Sequence, residues 1–105
     1  MSISFDDLTK HNQLRQKICY KNQNNLQELG LTIAEESGEF AAAVLGVTGA
    51  KERKAHLTKL DAGRELADIV IYADLAAKLL GFTLGELVQL KFNERSEKVG
   101  YGNKL

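Results

Sequence analysis

Residues 62–80, AGRELADIVIYADLAAKLL, decide the fold, because they form a long segment that is apolar on nearly every helical face. The pattern predicts a helix from Ala62 to Leu80, with Asp61 as its N-cap and Gly81 at its end. A helix of this kind is buried on most sides. Since the rest of a 105-residue chain can hardly cover it, we expect a symmetric homodimer, or a dimer of dimers, that buries its outer face.

Two helices are predicted before this segment. Ser4 precedes two aspartates, which is typical of a helix start, and the first helix should end near Cys19. The second helix should cover Leu26–Leu45 and be capped by Asn24 or Asn25. Its apolar residues recur at three- and four-residue spacing, as expected for a helix with one buried face.

A fourth helix is predicted after Gly81. Thr83 and Glu86 have the Thr-x-x-Glu spacing of a capping box, and this helix should run to about Val99. The chain has no proline and no alternating strand pattern. The sequence therefore predicts a single all-α domain over residues 1–105, a four-helix bundle-like protomer.

The composition is that of a soluble globular domain with balanced charge. Fourteen basic side chains match 14 acidic ones, which argues against a general nucleic-acid binder because such proteins need surplus Lys and Arg. The longest apolar stretch, residues 69–80, is too short to span a bilayer. The single cysteine, Cys19, forms no internal disulfide; we expect it to be half-buried on the first helix, in a protein of the reducing cytoplasm.

Two groups of carboxylates are candidates for chemistry. Glu35, Glu36 and Glu39 crowd one sector of the second helix, and Glu65 and Asp68 lie three residues apart in the third. Like charges at such spacings destabilise a helix by about 0.2–0.5 kcal/mol per pair. Glutamates on helices are usually solvated surface residues, but these flank apolar stripes. Antiparallel packing of the two helices would bring all five into one partly desolvated pocket.

Such a pocket needs a counter-charge, since two unit charges about 4 Å apart repel by about 4 kcal/mol at an effective dielectric of about 20. An all-oxygen carboxylate site suits Mg²⁺, with Mn²⁺ as a substitute. Di-iron helical bundles instead place a histidine three residues after a glutamate. Here Glu39 and Asp68 occupy those positions, and His11 and His56 lie elsewhere, so a di-iron centre is not expected.

A cationic stripe on the fourth helix complements the carboxylates. Lys91, Arg95 and Lys98 recur at helical spacing, with Asn93 beside them. One interpretation is a solvated helix end whose cations complement the helix dipole. The other is a phosphate-binding edge, which opposite a metal site would suit a polyphosphate substrate.

Glu35-Glu36-Ser37-Gly38-Glu39 and, after the 25 residues 40–64, Glu65-Leu66-Ala67-Asp68 together resemble the EExxE and ExxD signature of MazG-like nucleotide pyrophosphohydrolases. The residues 68–72 (DIVIY) and 91–96 (KFNERS) are also similar to that family. The resemblance covers about residues 25–96. It implies an all-α nucleoside triphosphate pyrophosphohydrolase, a superfamily that includes dimeric dUTPases and phosphoribosyl-ATP pyrophosphohydrolases.

The resemblance implies a magnesium-dependent hydrolase that cleaves a (deoxy)nucleoside triphosphate to the monophosphate and pyrophosphate. Glu35 and Glu36 would be catalytic, with Glu35 either the general base or a further ligand. The implied metal ligands are Glu36, Glu39, Glu65 and Asp68. The implied phosphate-binding residues are Lys91, Asn93 and Arg95.

Three points stay open in the sequence. Many members of the family hold the base with a tryptophan or a His-x-Pro-like segment before the second helix, whereas residues 20–25 here read YKNQNN, so the base is not specified. The basic linker, with Lys51, Arg53 and Lys54, is either a solvated loop or a segment that closes over the substrate. The alternative function is a non-catalytic dimeric helical module that binds a nucleotide or a protein partner.

Overall fold

The computed structural model describes residues 2–50 and 56–105. It contains four helices in chain order, and the described residues form no strand. The helices are α1 (Phe5–Cys19), α2 (Leu26–Val47), α3 (Lys59–Leu79) and α4 (Leu84–Val99). The all-α, bundle-like fold predicted from the sequence is therefore confirmed. The basic linker residues Lys51, Arg53 and Lys54 lie outside the described residues.

The first two helices begin at the predicted caps. The Ser4 hydroxyl accepts a hydrogen bond from the backbone N–H of Asp7 at 3.1 Å. Asn25 caps α2 by accepting from the backbone N–H groups of Gln27 at 2.8 Å and Glu28 at 3.2 Å. These bonds satisfy N–H groups that have no partner inside the helix, which fixes where each helix starts.

The start of α3 differs from the prediction. Thr58, and not Asp61, is the N-cap, and the helix begins at Lys59. The Thr58 hydroxyl accepts from the Asp61 backbone N–H at 3.1 Å, while the Asp61 carboxylate accepts from the Thr58 backbone N–H at 2.8 Å. This reciprocal pair is a capping box with aspartate in the place of the usual glutamate. Thr83 and Glu86 form the predicted capping box of α4.

Left-handed glycines end α3 and α4. Gly81 (φ 90°) and Gly100 (φ 79°) both adopt a conformation that costs glycine little. After α3, the N–H of Phe82 donates to the Ala77 carbonyl and the N–H of Gly81 to the Lys78 carbonyl, each at 3.0 Å. This is the Schellman arrangement, which satisfies the last carbonyls of the helix. In contrast, α2 continues through Gly46 to Val47 and so is two residues longer than predicted.

Helix α3 is the centre of the molecule. It packs most extensively against α2 and also contacts α1 and α4, which contact each other. Within the described part of the chain, α2 packs against neither α1 nor α4. Among residues 2–50 and 56–105, the buried apolar side chains lie on α2 and α3 alone: Leu29, Ala43, Ala62, Leu75 and Ala77.

The residues that the outer helices bury fully are polar. Asn12 is the one buried residue that α1 contributes, and Ser96 is the one from α4. Asp74 of α3 is only 1% exposed and accepts hydrogen bonds from the Thr9 hydroxyl and from Asn12 Nδ2, the latter at 3.0 Å. Asn12 Nδ2 also donates to the Ile71 carbonyl at 3.0 Å. This network holds α1 against α3.

Many large apolar side chains stay exposed in the single chain. On α3 itself, Leu66 is 48% and Val70 is 36% exposed, so this chain alone does not bury the helix on most sides. Cys19 is exposed and not half-buried as expected. None of the described helices has the length and hydropathy needed to cross a bilayer.

Candidate metal centre

Three of the predicted acidic residues converge between α2 and α3. Glu36 lies on α2, and Glu65 and Asp68 lie one turn apart on α3. One carboxylate oxygen from each lies within 4.8 Å of the other two. The convergence follows from the close packing of α2 along α3, which brings a single residue of one helix opposite an i,i+3 pair of the other. We refer to Glu36, Glu65 and Asp68 as the acidic triad.

Two oxygens of the triad are shielded from solvent and have no partner. Glu36 Oε2 and Glu65 Oε2 are buried, and neither has a hydrogen-bond partner among the described residues. A buried, unsatisfied polar atom costs about 1–3 kcal/mol, and more when it carries charge. Both oxygens are therefore in an environment that favours a cation or a proton.

The surroundings of Glu36 raise the pKa of its carboxyl. Desolvation, followed by the negative charge of Glu39, raises the pKa of Glu36 from 4.5 to about 7. The neighbouring carboxyls of Glu65 and Asp68 add to the same effect. At about pH 7 the carboxyl of Glu36 is thus protonated in about half of the metal-free molecules, and a bound cation would displace that proton.

The geometry of the triad fits a hard divalent cation. Mg²⁺ binds oxygen at about 2.0–2.1 Å, so two of its ligands are about 2.9 Å apart when they are adjacent and about 4.2 Å apart when they are opposite. The oxygens of the triad lie within 4.8 Å of one another and reach this spacing by moving towards a common centre through side-chain rotations. Ca²⁺, with bonds of about 2.3–2.6 Å, would need even less movement. Three carboxylates and no nitrogen or sulfur donor favour such ions over zinc.

The other two predicted acidic residues lie outside this group. The Glu35 and Glu39 side chains are exposed on α2. Glu39 is not part of the set whose oxygens converge, although its charge acts on Glu36. The role of Glu39 as a ligand and that of Glu35 as a base or ligand stay predictions.

The predicted phosphate-binding residues lie on α4, which contacts α1 and α3 but not α2 in the described part of the chain. Lys91 and Arg95 are exposed, and Lys91 Nζ lies 3.7 Å from a carboxylate oxygen of Glu94. Asn93 bonds to the backbone of Leu105, accepting from its N–H at 2.9 Å. The Asn93 side chain thus forms hydrogen bonds within the protein, and the sequence did not indicate these bonds.

Tyr72 and Asp74 are polar residues of α3 to which the sequence assigned no role. Desolvation, then the charges of Glu36 and Asp68, raise the pKa of the Tyr72 hydroxyl, so Tyr72 borders the acidic triad. The sequence held a signal for this position, because Tyr72 follows Asp68 by four residues and shares its helix face. For Asp74, the signal was a carboxylate inside an apolar run, which is costly unless hydrogen-bonded.

Comparison with known proteins identifies no relative. No protein-family model matches the chain, and neither a curated protein nor a solved structure matches it.

Proposed function

We propose that this protein is a magnesium-dependent pyrophosphohydrolase that converts a (deoxy)nucleoside triphosphate to the monophosphate and pyrophosphate. The observation that carries the proposal is the acidic triad, with two buried carboxylate oxygens that have no partner among the described residues. The resemblance of residues 35–39 and 65–68 to the paired acidic motifs of MazG-like enzymes supplies the reaction type.

The proposal gives each acidic residue a task. Glu36, Glu65 and Asp68 hold the cation, and Glu39, whose charge already acts on Glu36, is a candidate fourth ligand. When bound, Mg²⁺ would neutralise the triphosphate and lower the pKa of water for attack on the phosphoanhydride. Glu35, exposed beside Glu36 on α2, is the candidate base that accepts a proton from the attacking water.

The substrate class follows from the charge of the site. A carboxylate cluster repels a free triphosphate, so the substrate binds only as its complex with the cation or after the cation. Lys91 and Arg95 are the proposed contacts to phosphate oxygens on α4, and Asn93 would join them only by releasing Leu105. The polar residues 20–25, in the position where the family holds the base, leave the choice of base to experiment.

A second copy of the chain is part of the proposal. The chain exposes 8176 Å², whereas a compact monomer of 11.6 kDa exposes about 5,800 Å². The excess of about 2,300 Å² is what each partner buries in the larger obligate interfaces. We therefore propose a homodimer, or a dimer of dimers, that covers the exposed apolar face of α3. A cytoplasmic location, inferred from the single cysteine, belongs to the same proposal.

The test is a screen of nucleoside triphosphates for pyrophosphate release in the presence of Mg²⁺. We expect turnover of at least one nucleotide by the natural protein and loss of turnover in Asp68→Asn, which keeps the shape of the side chain but removes its charge. Glu97→Gln, which removes an exposed carboxylate from α4, is the matched control and should retain activity.

The same screen decides between the proposal and the rival binding module. A non-catalytic module would bind a nucleotide or a partner and release no pyrophosphate from any nucleotide. Equal turnover by the natural protein and by Asp68→Asn would also contradict the proposal, because the activity would then not depend on the acidic triad.

A further inference from the structure

A cleft of about 540 Å³ lies on the side of α3 that faces α1. Three lysines from separate parts of the chain line it: Lys17 of α1, Lys21 of the following turn and Lys78 of α3. We call it the lysine cleft. Its volume is in the range of small-molecule sites, which is about 300–1,000 Å³.

The rest of the lining contains hydrogen-bonding groups and no counter-charge. Carboxamide side chains, among them Gln13, Gln16 and Asn24, supply most of the other polar groups, and no Asp or Glu of the described residues lines the cleft. Gln16 Nε2 donates to the Asn22 carbonyl at 3.4 Å, which ties the turn to α1. Within the described residues, none of the three lysines forms an ion pair.

The obvious structural role of these lysines does not account for all three charges. Both α1 and α3 end beside the cleft, and Lys17 and Lys78 lie in their last turns, where a cation complements the helix dipole. Each helix C-terminus carries about half a negative charge, so the three lysines leave about two positive charges uncompensated. Cations gathered from two helices and a turn are a tertiary feature and not a charged run of sequence.

We propose that the lysine cleft binds a phosphorylated small molecule. A multiply charged phosphoryl group offers several oxygens to separate ammonium groups, and the carboxamides add neutral donors around it. None of the residues of the acidic triad lines the cleft, although Tyr20 of the lining acts electrostatically on Tyr72, which borders the triad. The bound phosphate belongs either to the nucleotide substrate or to a separate phosphorylated effector.

The experiment titrates inorganic pyrophosphate into the full chain by calorimetry, with EDTA present so that no divalent cation takes part. The proposal predicts saturable binding that weakens as salt is added. The variant Lys17→Gln/Lys21→Gln/Lys78→Gln should bind at least about tenfold more weakly, because three exposed ion pairs are lost.

A charge-matched control isolates the cleft. Lys10→Gln/Lys59→Gln/Lys104→Gln removes three exposed lysines that line neither the cleft nor the cationic stripe of α4, and it should bind pyrophosphate as the natural protein does. Absence of saturable binding, or equal weakening in both triple variants, would overturn the proposal. Neither result would bear on the metal centre, since the titration contains no divalent cation.

Steady-state kinetics with an active nucleotide distinguish the two sources of the phosphate. If the substrate occupies the cleft, the Lys17/Lys21/Lys78 variant raises KM by at least about tenfold, in line with the loss of pyrophosphate binding. If a separate effector occupies it, the variant leaves KM unchanged while pyrophosphate binding in EDTA is still lost. Either result supports an anion site in the cleft.

Discussion

At the scale of single residues, Glu36 connects the electrostatics of the site to its chemistry. Its carboxyl is half-buried, lies beside Glu65 and Asp68, and has one oxygen without a partner in the described part of the chain. Desolvation and then the charge of Glu39 raise its pKa to about 7. The surroundings of Glu36 favour its neutral form, whereas a bound cation would favour its charged form. Metal binding would therefore release a proton from Glu36.

The raised pKa predicts how stability depends on pH. The folded protein holds the Glu36 proton more tightly than the unfolded chain, in which the pKa is near 4.5. The contribution of Glu36 to the free energy of unfolding is therefore greatest below about pH 4.5 and is lost as the pH rises towards 7. In EDTA, the free energy of unfolding of Glu36→Gln should therefore fall less with rising pH. Above about pH 7, this variant should be more stable than the natural protein.

Urea unfolding between about pH 5 and pH 8 measures this difference. The matched control is Glu97→Gln, an exposed site on α4, which should follow the natural protein at each pH. Parallel pH curves for the natural protein and Glu36→Gln would show that the carboxyl is not strained in the folded state.

The acidic triad shows how far the sequence predicts a site. The spacing of Glu65 and Asp68 places both on one face of a helix, and Glu36 belongs to the neighbouring helix, so their meeting was predictable. Which members of the Glu35–Glu39 group turn inward was not, because that depends on the rotation of α2 against α3. Glu36 is half-buried, whereas Glu35 and Glu39 are exposed.

At the scale of helices, most helix boundaries can be predicted from the local sequence. Ser4, Asn25 and the pair Thr83 and Glu86 are capping residues whose partners lie two or three positions away, and the structure confirms them. The start of α3 was placed wrongly because Thr58 and Asp61 are both residues that favour an N-cap. Only the backbone geometry shows that Asp61 is the third helical residue and bonds back to Thr58.

The attachment of α1 was not predictable from its apolar pattern. Its buried residue is Asn12, and it is joined to α3 through Asp74, an ionisable residue in the middle of an apolar run. A buried carboxylate that accepts from Thr9 and Asn12 requires those donors in fixed places. The polar network therefore sets where α1 sits along α3.

We expect Asp74→Leu to loosen α1. Leucine is similar in shape to aspartate but accepts no hydrogen bond, so the Thr9 hydroxyl and one N–H of Asn12 Nδ2 would lose their acceptor, and a buried unpaired donor costs about 1–3 kcal/mol. Hydrogen exchange should then show faster exchange of the amides of α1, with a smaller effect on α2, which does not pack against α1 in the described residues. Native protection of α1 in Asp74→Leu would mean that the network does not hold the helix.

At the scale of the whole molecule, the single chain is open. Its radius of gyration is 16.2 Å, whereas a compact chain of 105 residues has about 13 Å. The core between α2 and α3 consists of few residues, several of them alanine, while Leu66 and Val70 stay exposed on one face of α3. The sequence indicated that apolar side chains of α3 would stay exposed, because α3 is apolar on nearly every face and the other helices of one chain are too few to cover it.

Sedimentation at micromolar concentration tests whether a second copy covers this face. We expect a dimer or tetramer for the natural protein, and a shift towards monomer with loss of thermal stability for Leu66→Lys/Val70→Lys, which places charge on the exposed face of α3. Ile3→Lys, at an exposed apolar residue before α1, is the control and should not change the association state. A stable monomer for the natural protein would contradict the homodimer.

The central claim is that the acidic triad holds a divalent cation, and calorimetric titration of Mg²⁺ and Mn²⁺ into metal-free protein tests it most directly. We predict saturable binding that releases protons near pH 7 and that raises the free energy of unfolding by about 2.7 kcal/mol at about 100 times Kd. Asp68→Asn should abolish binding while Glu97→Gln retains it. Absence of binding, or equal binding by the natural protein and Asp68→Asn, would contradict the metal centre and the hydrolysis proposed from it.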